Sequence, residues 1–127
     1  MKTFAFIRRV NHGYNANFHY CGYVGINNNI KIPISWQGGA SIDDDNALDN
    51  KVNIHGGITY DSYDSDWMEN DIKPITDMPE DWHKCRIVGF DLNHYLDYET
   101  GVHSNLDYCI SETKSLLEQI NNLIKEE

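Results

Sequence analysis

Apolar positions along the chain fall into short clusters followed by one long periodic run. Thr3, Phe4, Phe6, Ile7 and Val10 mark a strand over residues 2–10, although the Arg8-Arg9 pair puts one charge on each of its faces. Residues 11–17 carry Asn-His-Gly and Asn-Ala-Asn, residue types that accept bent backbone. Phe18–Ile26, with aromatics at Phe18, Tyr20 and Tyr23, reads as a second strand, so the two segments predict a hairpin with a longer loop. Residues 27–50 contain Asn27-Asn28-Asn29, Gly38-Gly39 and Asp43-Asp44-Asp45. A loop of that length in a small domain carries function or hides an element, here a short strand over residues 30–34. A third strand is read over residues 51–60, where Gly56-Gly57 implies a bulge or the close approach of another group to the backbone. Residues 61–84 read as a loop. Residues 85–91 form a fourth strand, whose consecutive Ile87, Val88 and Phe90 fit a strand covered on both faces.

The long run is helical. Leu106, Ile110, Leu116, Leu117, Ile120, Leu123 and Ile124 recur at helix spacing behind Ser104-Asn105-Leu106-Asp107, which resembles a capping box. Asp107 and Glu112 sit early and Lys125 late, as the helix dipole favours, while Glu126 and Glu127 run against it. The pattern predicts one α+β domain over residues 1–127, a small, mainly antiparallel sheet of about four strands with long loops, packed by one C-terminal amphipathic helix. The same stripe offers a route to a homo-oligomer through a coiled coil, although the helix barely supplies the heptads for one.

Composition narrows the function classes. Of the 127 residues, 40% are hydrophobic and 12% aromatic, which is the make-up of a folded chain and not of a disordered one. No stretch approaches the ~20 apolar residues of a membrane span, and the apolar run before Arg8 is too short for a signal peptide. Cys21, Cys85 and Cys109 are widely spaced with no C-x-x-C pair, which suggests small hydrophobes in a reducing compartment and a cytoplasmic location. The formal net charge is -10, and it is uneven: residues 1–60 hold five basic and four acidic side chains, residues 61–127 five and sixteen. That sign argues against direct nucleic-acid binding. The acids of residues 61–81 and one helix face read most simply as solvated surface; the alternative is a nucleic-acid mimic that meets a basic host protein.

Two segments carry candidate chemistry. In Ile54-His55-Gly56-Gly57-Ile58-Thr59-Tyr60, a glycine pair permits positive φ and exposes successive N–H groups, a nest for a phosphate or carboxylate, to which His55 and Thr59 add side-chain hydrogen bonds. In Gly89-Phe90-Asp91-Leu92-Asn93-His94-Tyr95-Leu96-Asp97, the polar groups come where a strand ends. Asp-x-x-His-x-x-Asp together with His55 has the donor types of a Zn, Mn or Fe site, so a metal-dependent hydrolase using His55, Asp91 and His94 is one alternative. The plainer reading is preferred: Asp91 and Asn93 cap a turn and His94 makes one buried hydrogen bond. Calcium loops fail on spacing, since Asp43 and Asp45 are followed by Ala47, and Asp64 and Asp66 by Met68. No G-x-S-x-G elbow, P-loop or dinucleotide fingerprint is present, so phosphate recognition would rest on Arg8, Arg9, Arg86, a few lysines and the Gly56-Gly57 backbone.

Gly22-Tyr23-Val24-Gly25, then His55-Gly56-Gly57-Ile58-Thr59-Tyr60, then Gly89-Phe90-Asp91 with His94 and Asp97, resemble a family of small uncharacterised bacteriophage and prophage proteins. That family reads His-Gly-Gly-Leu-Thr-Tyr and Gly-Phe-Asp-x-x-His-x-Gly-Asp; here Leu96 replaces the last glycine, and no His-Pro pair occurs in residues 27–50. The resemblance implies a phage setting in a host cytosol and no particular reaction. The expectation is a binding module in which His55, Gly56, Gly57, Thr59, Tyr60, Asp91, Asn93 and His94 line a pocket. Its partner would be a small polar ligand such as a host nucleotide signal, captured as a counter-defence. No cofactor is identified, and an enzyme is the less favoured reading.

Overall fold

Alternation in the first two strands sends Phe4 and Phe6 to one face of a sheet and Ala5 and Ile7 to the other, and all four are buried. The computed structural model describes residues 2–13, 17–30, 48–68 and 72–125. Nearly all of the strand expected over 30–34, most of the long loop, and Glu126 and Glu127 lie outside them. The elements are β1 (Thr3–Asn11), β2 (Phe18–Ile26), α1 (Leu48–Lys51), β3 (Tyr60–Ser62), β4 (Ile72–Pro74), β5 (Arg86–Asp91), α2 (Tyr95–Thr100) and α3 (Leu106–Lys125), with single 3-10 turns at Asp66–Met68, Trp82–Lys84 and Val102–Ser104.

The architecture is α+β, and the sheet has five antiparallel strands, not four, in the order β3-β5-β2-β1-β4. The hairpin register runs from Thr3 opposite Ile26 to Asn11 opposite Phe18. The additional strand, β4, lies in the segment read as loop; it pairs Ile72 with Arg8 and Pro74 with Phe6 at the sheet edge, where a proline's missing N–H costs no ladder bond. The expected strand over 51–60 is absent except for Tyr60. Gly56 and Gly57 both have positive φ, 71° and 78°, and the Gly57 N–H closes a turn onto the Ile54 carbonyl at 3.0 Å. Two consecutive left-handed residues reverse the chain, so pairing with β5 begins only at Tyr60, opposite Gly89.

Both faces of the sheet are covered, as the apolar run in β5 implies. On one face Ala5, Ile7, Val24, Ile26, Val88 and Phe90 pack with Cys109, Leu116 and Ile120 of α3. On the other, Phe4, Phe6, Cys21, Tyr23 and Ile87 pack beneath Met68, Cys85 and Trp82 from the 60–85 connection. The apolar stripe of α3 is thus seated on the chain's own sheet. The helix is capped by Asn105, whose Oδ1 accepts the Tyr108 N–H at 3.0 Å. Arg86, 1% exposed, ties β5 to β3 by donating from Nε and Nη2 to the two carboxylate oxygens of Asp61 at 3.0 and 2.7 Å. Among the described residues no helix is long and apolar enough to cross a membrane.

Gly22 sets how closely α3 approaches: a Cβ there would sit 2.1 Å from Thr113 Oγ1 and 2.5 Å from the Phe90 ring. Gly22→Ala is therefore expected to lower stability in urea unfolding by about 1–3 kcal/mol. Adding Thr113→Ala to it restores part of the loss, because it removes the nearer obstruction.

Candidate functional site

The site is built where β5 ends and α2 begins. The Asn93 N–H donates to Asp91 Oδ1 at 3.1 Å, which turns the chain as the capping reading expects. His94 is the N-cap of α2, and its backbone N–H donates to Asp97 Oδ2 at 3.0 Å, one arm of a capping box. That first helical turn carries Asp97 inward, 3% exposed, and leaves Tyr95 and Leu96 on the surface. Position 96 is helical, so Leu96 adopts an ordinary conformation.

Asp97 joins the two segments singled out in the sequence. Its Oδ1 lies 2.6 Å from His55 Nε2, and its Oδ2 lies 3.0 Å from His94 Nδ1. A carboxylate only accepts, so His55 carries its proton on Nε2 and His94 on Nδ1. His55 Nδ1 then accepts from the Tyr108 hydroxyl at 2.8 Å, while His94 Nε2 has no hydrogen-bond partner among the described residues, on a ring whose side chain is 45% exposed. Burial pushes the Asp97 carboxyl up, but the His94 backbone N–H, the His94 ring and the His55 ring together hold it below its ordinary value. Tyr108 is pushed up by burial and by the negative charges of Glu112 and Asp97.

The glycine pair does not offer its surroundings to an outside anion. The His55 N–H donates to Glu112 Oε1 at 3.2 Å and the Ile58 N–H to Asp49 Oδ1 at 2.6 Å, so the chain's own carboxylates fill the nest. Gly57 faces Asp49, and Gly56 faces His94, whose Cε1 would be 2.7 Å from a Cβ at that position.

Thr59, Tyr60, Asp91 and Asn93 instead line a neighbouring cleft of about 250 Å³, together with Arg8, Val10, His19, Cys21, Tyr23 and Phe90. Strand register explains its cationic edge: Arg8 stands opposite Cys21, and Cys21 opposite Asp91, in one cross-strand row. The Arg8 guanidinium lies 4.7 Å from the Trp67 ring centroid and reaches the Tyr23 hydroxyl at 3.5 Å. Among the described residues its Nε is buried without a hydrogen-bond partner and it makes no ion pair. Of the other arginines, Arg86 is neutralised by Asp61, and Arg9 lies over the Phe18 ring at 3.7 Å. His19 Nδ1 is 2.6 Å from His12 Nε2; burial and then His12 lower its pKa. No thiol here is primed for attack, since burial pushes Cys21 up to about 11, Cys109 to about 12, and Cys85 upward as well.

The eight expected ligand residues therefore divide. His55, Gly56 and His94 gather at Asp97; Thr59, Tyr60, Asp91 and Asn93 border the cleft; Gly57 belongs to neither. Asp91 links the two groups, with Oδ1 3.7 Å from His94 Nδ1. Of the hydrolase's three residues, His55 and His94 converge on Asp97, and Asp91 stands farther off. Tyr108, Glu112, His19 and Tyr23 were not singled out, being ordinary members of a helix or strand pattern. The acids of the 61–81 segment are partly engaged locally, Asp61 with Arg86 and Asp66 with His83 at 3.2 Å.

Asp97→Asn should destabilise the fold by about 2–3 kcal/mol at neutral pH, because an amide presents a donor where two ring N–H groups and a backbone N–H need acceptors. With its folded pKa below 3.8, the Asp97 contribution is full above that pH and is lost as pH falls through the lowered value, so wild type and variant converge in strong acid. His19 acts at higher pH. Its lowered folded pKa means that the unfolded chain takes up the proton first, so stability falls as pH drops below about 6.5; His19→Gln should flatten that part of a stability-against-pH curve. No family model, curated protein or solved structure matches this chain.

Proposed function

We propose that the protein binds a small ligand that carries an anionic group, in the cleft between Arg8 and the end of β5. The observation behind this reading is the buried Arg8 Nε, a cationic donor with no hydrogen-bond partner among the described residues, in a protein of net charge -10. A buried N–H of this kind is costly when unpaired and recovers that cost on meeting a phosphate or carboxylate oxygen. The remaining walls say more about the ligand. Tyr60 offers aromatic surface, whereas Asp91 and Asn93 call for donors such as sugar hydroxyls or a base N–H.

A mononucleotide has this combination of anion, donors and flat ring, and about 250 Å³ suits a ligand of that size or smaller. The resemblance to phage proteins makes a host nucleotide signal the first ligand class to test, and capture of that signal the counter-defence role that goes with it.

A panel of mono-, di- and cyclic nucleotides should contain at least one that raises the melting temperature, the stabilisation approaching about 2.7 kcal/mol at a hundredfold excess over Kd. Arg8→Gln, at a half-buried position, should abolish the shift while leaving the apo melting temperature little changed. A panel without any shift, or a shift that survives Arg8→Gln, would contradict the proposal.

A further inference from the structure

We propose that His55, His94 and Asp97 form a binding site for a divalent transition-metal ion, with Zn²⁺ the best match to two imidazoles and one carboxylate. One ligand atom from each residue lies within 4.8 Å of the others. A zinc ion with bonds of roughly 2.0–2.1 Å brings its ligand atoms to within about 3.5 Å of one another, so small side-chain movements close the set. The inference is independent of the anion-binding reading, because it uses none of the groups on which that reading rests.

Three further features favour a cation over a purely structural staple. Nδ1 is the His94 nitrogen that faces Asp97, and Nε2, which has no hydrogen-bond partner among the described residues, can take up the ring proton when Nδ1 turns to the ion. His55 is held from behind as metal-bound histidines are, with Nδ1 against the Tyr108 hydroxyl and its backbone N–H on Glu112. When Nε2 of His55 turns to a metal, its ring proton shifts to Nδ1 and the Tyr108 hydroxyl becomes the acceptor. No proton leaves the protein in that exchange. Three protein ligands beside an exposed ring also leave coordination positions for water, the arrangement of a reactive site and not of a closed structural one.

The test is titration of Zn²⁺ alone into chelator-treated protein, followed by competition with a zinc-binding dye, and a parallel titration with Co²⁺ read by its visible absorption. One ion per chain with micromolar or tighter affinity is expected, with Co²⁺ bands of a low-coordinate nitrogen and oxygen site. His94→Ala, a change at an exposed ring, should abolish both signals with the circular dichroism unchanged. Tyr108→Phe should weaken binding about 10–100-fold. His83→Ala, at a histidine paired with Asp66, and Arg8→Gln should leave the affinity as it was. Absence of stoichiometric binding, or binding that His94→Ala leaves intact, would overturn the proposal.

Discussion

A buried carboxylate stays ionised only if donors replace the water it has lost, and Asp97 meets that condition with three: the His55 ring, the His94 ring and the His94 backbone N–H. The requirement organises everything around it. The residue 52–59 segment meets the sheet only at its end, where the Thr59 N–H donates to the Gly89 carbonyl, and it is fastened at Asn53 to Gln119 of α3 and at His55 to α2 through Asp97 and to α3 through Tyr108 and Glu112. At its far end Asp49 holds the Ile58 N–H, and pairing with β5 starts at Tyr60. The position of one wall of the cleft thus follows from side-chain hydrogen bonds, with Asp97 joining the segment to α2.

The sheet supplies the rigid half of the arrangement. β1, β2 and β5 are buried on both faces, by α3 on one side and by the 60–85 connection on the other, so Arg8, Cys21 and Asp91 are held in register with little freedom to move. The Asp97 cluster lies toward α3, since Tyr108 and Glu112 belong to that helix. The cleft opens where the Arg8 row reaches the other face. Among the described residues the two meet at Asp91 and His94, which makes the β5-to-α2 turn the junction between them.

Elements with an uninterrupted hydrophobic period were legible from the residues alone: β1, β2 and β5 within a residue or so, and α3 over its full described length. Elements specified by tertiary contact were not. β4 is three residues ending in a proline, too short to show alternation, and it exists because the β1 edge can pair with it. The Gly56-Gly57 pair was correctly read as demanding special backbone, but a bulge and a reverse turn call for the same residues, and only the contacts of His55 and Ile58 with Glu112 and Asp49 distinguish them. At the site, local spacing showed His94 and Asp97 three apart around a strand end. It could not show that His55, forty-two residues before Asp97, supplies the other donor. Arg8 was visible as a charge in an apolar strand; that Arg86 would be neutralised, and Arg8 left without an ion pair among the described residues, depends on the Asp61 partner.

The account turns on Asp97 being an ionised acceptor that fixes the protonation of two rings, and long-range proton–nitrogen NMR correlation of the histidine side chains at neutral to slightly alkaline pH, without added metal, tests that directly. The structure requires the Nε2–H tautomer at His55 and the less common Nδ1–H tautomer at His94, each without averaging, and both lost in Asp97→Asn. Finding His94 as the Nε2–H tautomer, or both rings exchanging freely between forms in the wild-type protein, would contradict it.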